Sequence, residues 1–142
     1  MNEWKKELEV AVRANKARKK RVEEAKNIRT NFIDLVVDAF SELKAELDSH
    51  YQVEILDERS TSPVQVSLIL KDREITVFTY TIQLDREPKL YYREICEFRD
   101  DYGDSKTVSS HNNEGGYAIN EDRINKEEFI IGFLKYFKSV SK

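Results

Sequence analysis

Cysteine, histidine, glycine and proline are all scarce in this chain, and each scarcity removes a class of explanation. Cys96 is the only cysteine, so no internal disulfide can form and no zinc cage can be built from thiolates. His50 and His111 stand far apart and offer no ligand spacing, so no metal and no cofactor is expected. The four glycines include one adjacent pair, Gly115-Gly116, well short of a dinucleotide or P-loop signature. No apolar run approaches the roughly 20 residues of a membrane span. The opening Met1-Asn2-Glu3-Trp4-Lys5-Lys6-Glu7 has no leader-like apolar segment behind it, so a reducing, cytoplasmic setting without membrane association is expected.

What is abundant is charge. Asp, Glu, Lys and Arg make up 36% of the 142 residues, and the net charge of −3 conceals a polarity. Residues 1–30 carry +5 and the remainder −8, an arrangement suited to head-to-tail association or to an acidic partner for the basic end. A chain of this length can bury about 70% of its unfolded surface. It therefore supports one core without staples.

The first glycine or proline is Pro63, and residues 2–49 are rich in Ala, Leu, Glu, Lys and Arg, which predicts helix. Val22, Ala25, Ile28, Phe32, Leu35, Val36, Ala39, Phe40, Leu43 and Leu47 draw one apolar stripe in steps of three and four. Trp4, Leu8, Ala11 and Val12 draw a shorter one. Between them Arg13, Lys16, Arg18, Lys19, Lys20 and Arg21 spread around the whole circumference, so that stretch reads as a solvated spacer. Asn31 with Asp34 resembles a cap and a first-turn acid, which predicts two helical segments broken near Thr30. The expected domains are a charged helical arm over 1–29 and a core over 30–142.

From Tyr51 the period changes to two. Tyr51, Val53 and Ile55 alternate with polar residues, as do Val64, Val66, Leu68 and Leu70. A turn at 71–74 leads to a strand over 75–84, and a turn at 85–89 to a strand over 90–99. A short edge strand over 106–110, an acidic turn with Asp100, Asp101 and Asp104, and a loop over 111–116 follow. Asn125 with Glu128 predicts the start of a last helix, stapled by Ile124 and Phe129. Short loops between strands imply antiparallel pairing. The fold expected is α+β: a two-layer sandwich with a meander of four to five antiparallel strands, helices on one face, a long N-terminal helix and a C-terminal helix.

No set of residues has the types and spacing of a catalytic constellation. Cys96 shares a face with Tyr92 and Phe98, where a buried thiol is inert, and no Gly-x-Ser-x-Gly elbow occurs. Glu87-Pro88-Lys89 has the letters of a nuclease motif, but its proline and turn location are wrong for one. Glu94 is the most informative polar residue, since strict alternation puts it between Tyr92 and Cys96 on the apolar face. It either takes a partner there, as part of a ligand or catalytic pocket with Tyr92, or a bulge rotates it to solvent; the bulge is the favoured outcome. The other sheet face, with Gln65, Ser67, Thr79, Thr81, Gln83, Tyr91, Arg93, Glu97 and Arg99, is donor-rich without a nucleic-acid signature. The leading expectation is a non-catalytic interaction or assembly module. Trp4, Leu8, Ala11 and Val12 would dock on a protein partner or a second copy. The alternative is phosphate binding to nucleic acid through Arg13, Lys16, Arg18, Lys19, Lys20 and Arg21.

Overall fold

The computed structural model describes residues 2–84, 91–99, 103–110, 117–118 and 125–140. The expected turn at 85–89, the acids Asp100 and Asp101, the loop over 111–116 with His111 and its two glycines, and the staple residue Ile124 lie outside the described residues. Contacts divide the chain into two compact units, Met1–Asn31 and Phe32–Lys142.

Helix α1 runs over Glu3–Leu47. The break expected near Thr30 does not occur. Thr30 Oγ1 donates back to Lys26 O at 3.0 Å, the bond a threonine makes inside a helix, and Asn31 caps nothing. A single cap-type residue does not end a helix when no glycine or proline stops it and the segment beyond buries an apolar face. Asp34, expected in a first turn, instead accepts from Arg59 Nη1 at 2.9 Å. Only the C-terminal part of α1 is buried, through Phe32, Ile33, Val36, Ala39, Phe40 and Leu43. Val22, expected in that stripe, is exposed.

In the second unit, β1 (Gln52–Glu58), β2 (Val64–Asp72), β3 (Ile75–Leu84), β4 (Tyr91–Arg99) and β5 (Ser105–Ser110) form an antiparallel meander in sequence order. A two-residue β6, Tyr117–Ala118, pairs with the start of β4. The β2–β3 hairpin turns through Arg73 and Glu74, both with positive φ (51° and 69°), the backbone that a tight antiparallel connection requires. The Glu74 amide donates to Gln52 Oε1, which ties the turn to β1.

Helix α2 (Lys126–Val140) starts where expected. Asn125 Oδ1 accepts from the Glu128 amide at 3.1 Å, satisfying one of the free N-terminal donors. Its Phe129, Phe133 and Tyr136 join Phe32, Val36 and Phe40 over Val66, Leu68, Leu70, Phe78, Tyr80 and Ile82 of the sheet. Edge-on ring pairs knit the layers: Phe40 with Tyr80, Phe78 with Phe133, and Phe32 with Phe129. Both helical segments therefore cover one face of the sheet. The architecture is a two-layer α+β sandwich.

Candidate functional site

In the first unit the four arm residues Trp4, Leu8, Ala11 and Val12 are all exposed. At about 100° per residue they occupy roughly a 100° arc of the helix, and Val22 falls in line with Trp4 five turns on. Trp4 is 61% exposed, Leu8 56% and Val12 42%, so none of these side chains is packed. The Lys5 ammonium lies 5.5 Å from the Trp4 ring centroid, a cation–π contact beside the stripe. The stripe was legible in the sequence. Val10 and Val22 are exposed apolar residues that the sequence reading left out of the arm surface.

The six basic residues Arg13, Lys16, Arg18, Lys19, Lys20 and Arg21 are also all exposed. They point around the whole helix, but not evenly with respect to the stripe. Arg18 flanks it closely and Lys16 lies beside Val12, Lys19 falls in line with it about two turns beyond Val12, and Arg13 and Lys20 face the other way. The apolar arc is therefore bordered mainly by cations, Lys5, Lys16 and Arg18, with Lys19 beyond its end and Glu7 and Glu9 also beside it.

Glu94 and Tyr92 sit elsewhere, on β4. The expected bulge at Glu94 is absent. The β3–β4 register runs without interruption from Phe78 opposite Phe98 to Leu84 opposite Tyr92, with Glu94 opposite Ile82. Glu94 thus keeps the helix-covered face, half-buried, and its Oε2 accepts from Tyr80 Oη at 2.5 Å. A diagonal partner on the next strand supplies what rotation to solvent would have supplied. The irregularity in the sheet falls instead between Leu70 and Lys71.

Burial, with the neighbouring Glu94 charge and hydrogen bond acting in the same direction, raises the Tyr80 phenol far above its ordinary pKa, so it remains a donor. Helix α2 crosses this pair at Gly132. A Cβ there would overlap Tyr80 Oη and lie 2.5 Å from Glu94 Oε2, so the absent side chain is what admits the hydrogen bond. The Tyr92 ring centroid lies 5.1 Å from that of Phe32, tilted to it, and 5.9 Å from that of Phe129, edge-on. Tyr80, Glu94 and Gly132 form a satisfied polar clamp between sheet and helix. No sequence signal links residues this far apart.

Cys96 is a free, buried thiol opposite Tyr80, and burial pushes it up to about 12, with the Glu97 charge adding to the effect. Burial thus keeps it in the neutral thiol form near pH 7. On the far sheet face several polar residues bond to one another. Ser67 Oγ and Thr81 Oγ1 are 2.8 Å apart, Gln83 donates to Gln65 Oε1, and Gln65 donates to Glu58 Oε1. No group of three or more His, Cys, Asp or Glu among the described residues could hold a metal ion. No helix among them is long and apolar enough to cross a membrane.

In comparisons with protein-family models, curated proteins and solved structures, nothing matches this chain.

Proposed function

We propose that this chain is a non-catalytic interaction module, acting in a reducing cytoplasmic setting, that associates with protein through the apolar face of its arm helix. The observation that supports this is the exposure of Trp4, Leu8 and Val12 on one arc of α1. Scattered exposed apolar residues are ordinary, but a tryptophan, a leucine and a valine spaced four apart make a continuous ridge. Such a ridge is the helix-in-groove form of recognition, read at i, i+4 and i+8. The clamp at Glu94 is fully partnered and serves packing in this reading.

Light scattering after size exclusion tests it, comparing the full chain with the Trp4→Ala/Leu8→Ala variant. The expected result is a mass above that of the 16.7 kDa monomer for the full chain and the monomer mass for the variant. A monomeric full chain at high concentration removes self-association. Low-salt binding to single- or double-stranded nucleic acid, lost on adding salt, would then favour the basic run instead.

A further inference from the structure

We infer that the seat for the arm is the groove between the C-terminal part of α1 and helix α2 on a second copy of the chain. This deepens the preceding reading of the arm and rests on it. Residues Glu42, Leu43, Ala45 and Glu46 of α1 and Ile130 of α2 line a cleft of about 350 Å³ within the second unit. Beside Ile130, and on the outward side of α2, Ile131 is 64% and Leu134 40% exposed. Helical geometry places Ile130, Leu134 and Ile131 within roughly 100° of one another. The apolar part of the cleft is thus Leu43, Ala45 and Ile130, with Ile131 and Leu134 exposed beside it on α2.

Its border is acidic. Glu42 accepts from Lys126 Nζ at 2.8 Å across the helix pair, and Asp38 and Glu127 lie close enough to act on the same ammonium. Of these carboxylates Glu42 lines the cleft together with Glu46, and Lys126 pairs with Glu42. The arm stripe has the opposite charge balance: around the apolar arc of Trp4, Leu8, Ala11 and Val12, residues 4–19 carry six basic side chains against the two acids Glu7 and Glu9. Lengths match as well. The stripe with its cationic border, residues 4–19, spans about 22 Å at 1.5 Å per residue, and α2 spans a similar length. A charge-complementary, apolar helix seated over two others would form a three-helix layer. The +5 of residues 1–30 against the −8 of the rest gives the same pairing at longer range.

Trp4 is the only tryptophan, so its fluorescence reports the arm alone. The test follows Trp4 emission and light-scattering mass against concentration. It compares the full chain, a groove variant (Asp38→Lys/Glu46→Lys, which spares the Glu42–Lys126 pair), an arm variant (Lys16→Glu/Lys19→Glu), and an equimolar mixture of the two. Circular dichroism checks that each is folded. For the full chain the emission should shift to the blue as mass rises. Each charge-reversed variant should associate about tenfold or more weakly, and the mixture should recover the shift and the mass. If the groove variant associates as the full chain does, while Trp4→Ala/Leu8→Ala does not, the groove is wrong and the arm reading stands. If the full chain shows neither shift nor mass increase, self-association through the arm fails, and the groove with it. A blue shift with monomer mass at all concentrations would also overturn the second-copy seat.

Discussion

Gly132→Ala should destabilise this protein although it replaces a glycine in the middle of a helix. Helix propensity alone favours the change by about 1 kcal/mol. Against it stands the clamp, because the new Cβ would overlap Tyr80 Oη and sit 2.5 Å from Glu94 Oε2. Tyr80 is fully buried and Glu94 half-buried, so neither can move into solvent without opening the layer. Overpacking of this kind costs about 1–3 kcal/mol. Parting the 2.5 Å hydrogen bond leaves a buried phenol without an acceptor, a further cost of about 1–3 kcal/mol. The net expectation is a loss of about 2 kcal/mol, which lowers Tm by about 6–8 °C for a chain of this size. Urea unfolding should show the same change in midpoint with an unaltered slope. Tyr80→Phe removes the atom the new methyl meets, so the two substitutions should be coupled. The double variant should be more stable than the summed single costs by about 1 kcal/mol. A Gly132→Ala protein as stable as the parent, or strictly additive costs, would refute the reasoning.

Three further outcomes follow from the same structure. Cys96 should resist a thiol reagent at pH 8 in the folded protein and react at the rate of a free thiol once denatured, because a group pushed up to about 12 is neutral there; rapid native-state labelling would show an accessible site. Replacing Arg73-Glu74 by Asn-Gly should raise stability by about 1 kcal/mol in thermal unfolding, since Asn and Gly suit the positive φ at both positions while the amide of residue 74 still reaches Gln52. The side-chain hydrogen bond from Arg59, aided by its charge, holds the Asp57 carboxyl below its ordinary value. A depressed folded pKa contributes stability that is complete above the unfolded value, about 3.9, and disappears as pH falls through the lower folded one. Arg59→Gln should therefore flatten the acid limb of a stability–pH profile below about pH 4 and leave its neutral region with the same slope.

The elements that the sequence made legible are those whose pattern is local. Period-two alternation at Tyr51, Val53 and Ile55 and at Val64, Val66, Leu68 and Leu70 needs no knowledge of the partner strand, nor does the run of Thr, Val, Ile and aromatics over 75–84, and Asn125 three residues before Glu128 needs none of the core. Strand β6 was not legible because two residues carry no period. The continuity of α1 was misread because a cap signal is weak evidence against helix propensity on both sides. Glu94 is the most instructive case. Alternation placed it on the apolar face, and the cost of burying a carboxylate argued for a bulge. The acceptable solution depended on Tyr80, 14 positions earlier, being diagonal to it in a register that only the assembled sheet defines. Gly132 likewise reads as a weak point in a helix until the clamp beneath it is seen.

The candidate site was half legible for the same reason. An apolar arc on a helix is a local pattern, whereas the groove proposed to receive it depends on the pairing of Glu42 with Lys126, 84 positions apart. Magnitudes indicate why both halves matter. Full burial of a side chain such as Leu8 or Val12 contributes about 1.5–3 kcal/mol, so the ridge of Trp4, Leu8 and Val12 supplies a gross gain of about 5–9 kcal/mol. Association costs about 4–15 kcal/mol before any contact is made. The ridge alone is then close to insufficient, and an arm that binds must gain from its cationic border. Charge pairs at a helix surface are screened beyond about 8 Å at physiological ionic strength. Assembly through this arm should accordingly be weak and lost as salt rises, whereas a ridge that bound by burial alone would hold or strengthen with added sulfate. The sign of the salt dependence therefore separates a groove chosen by charge from one chosen by apolar fit.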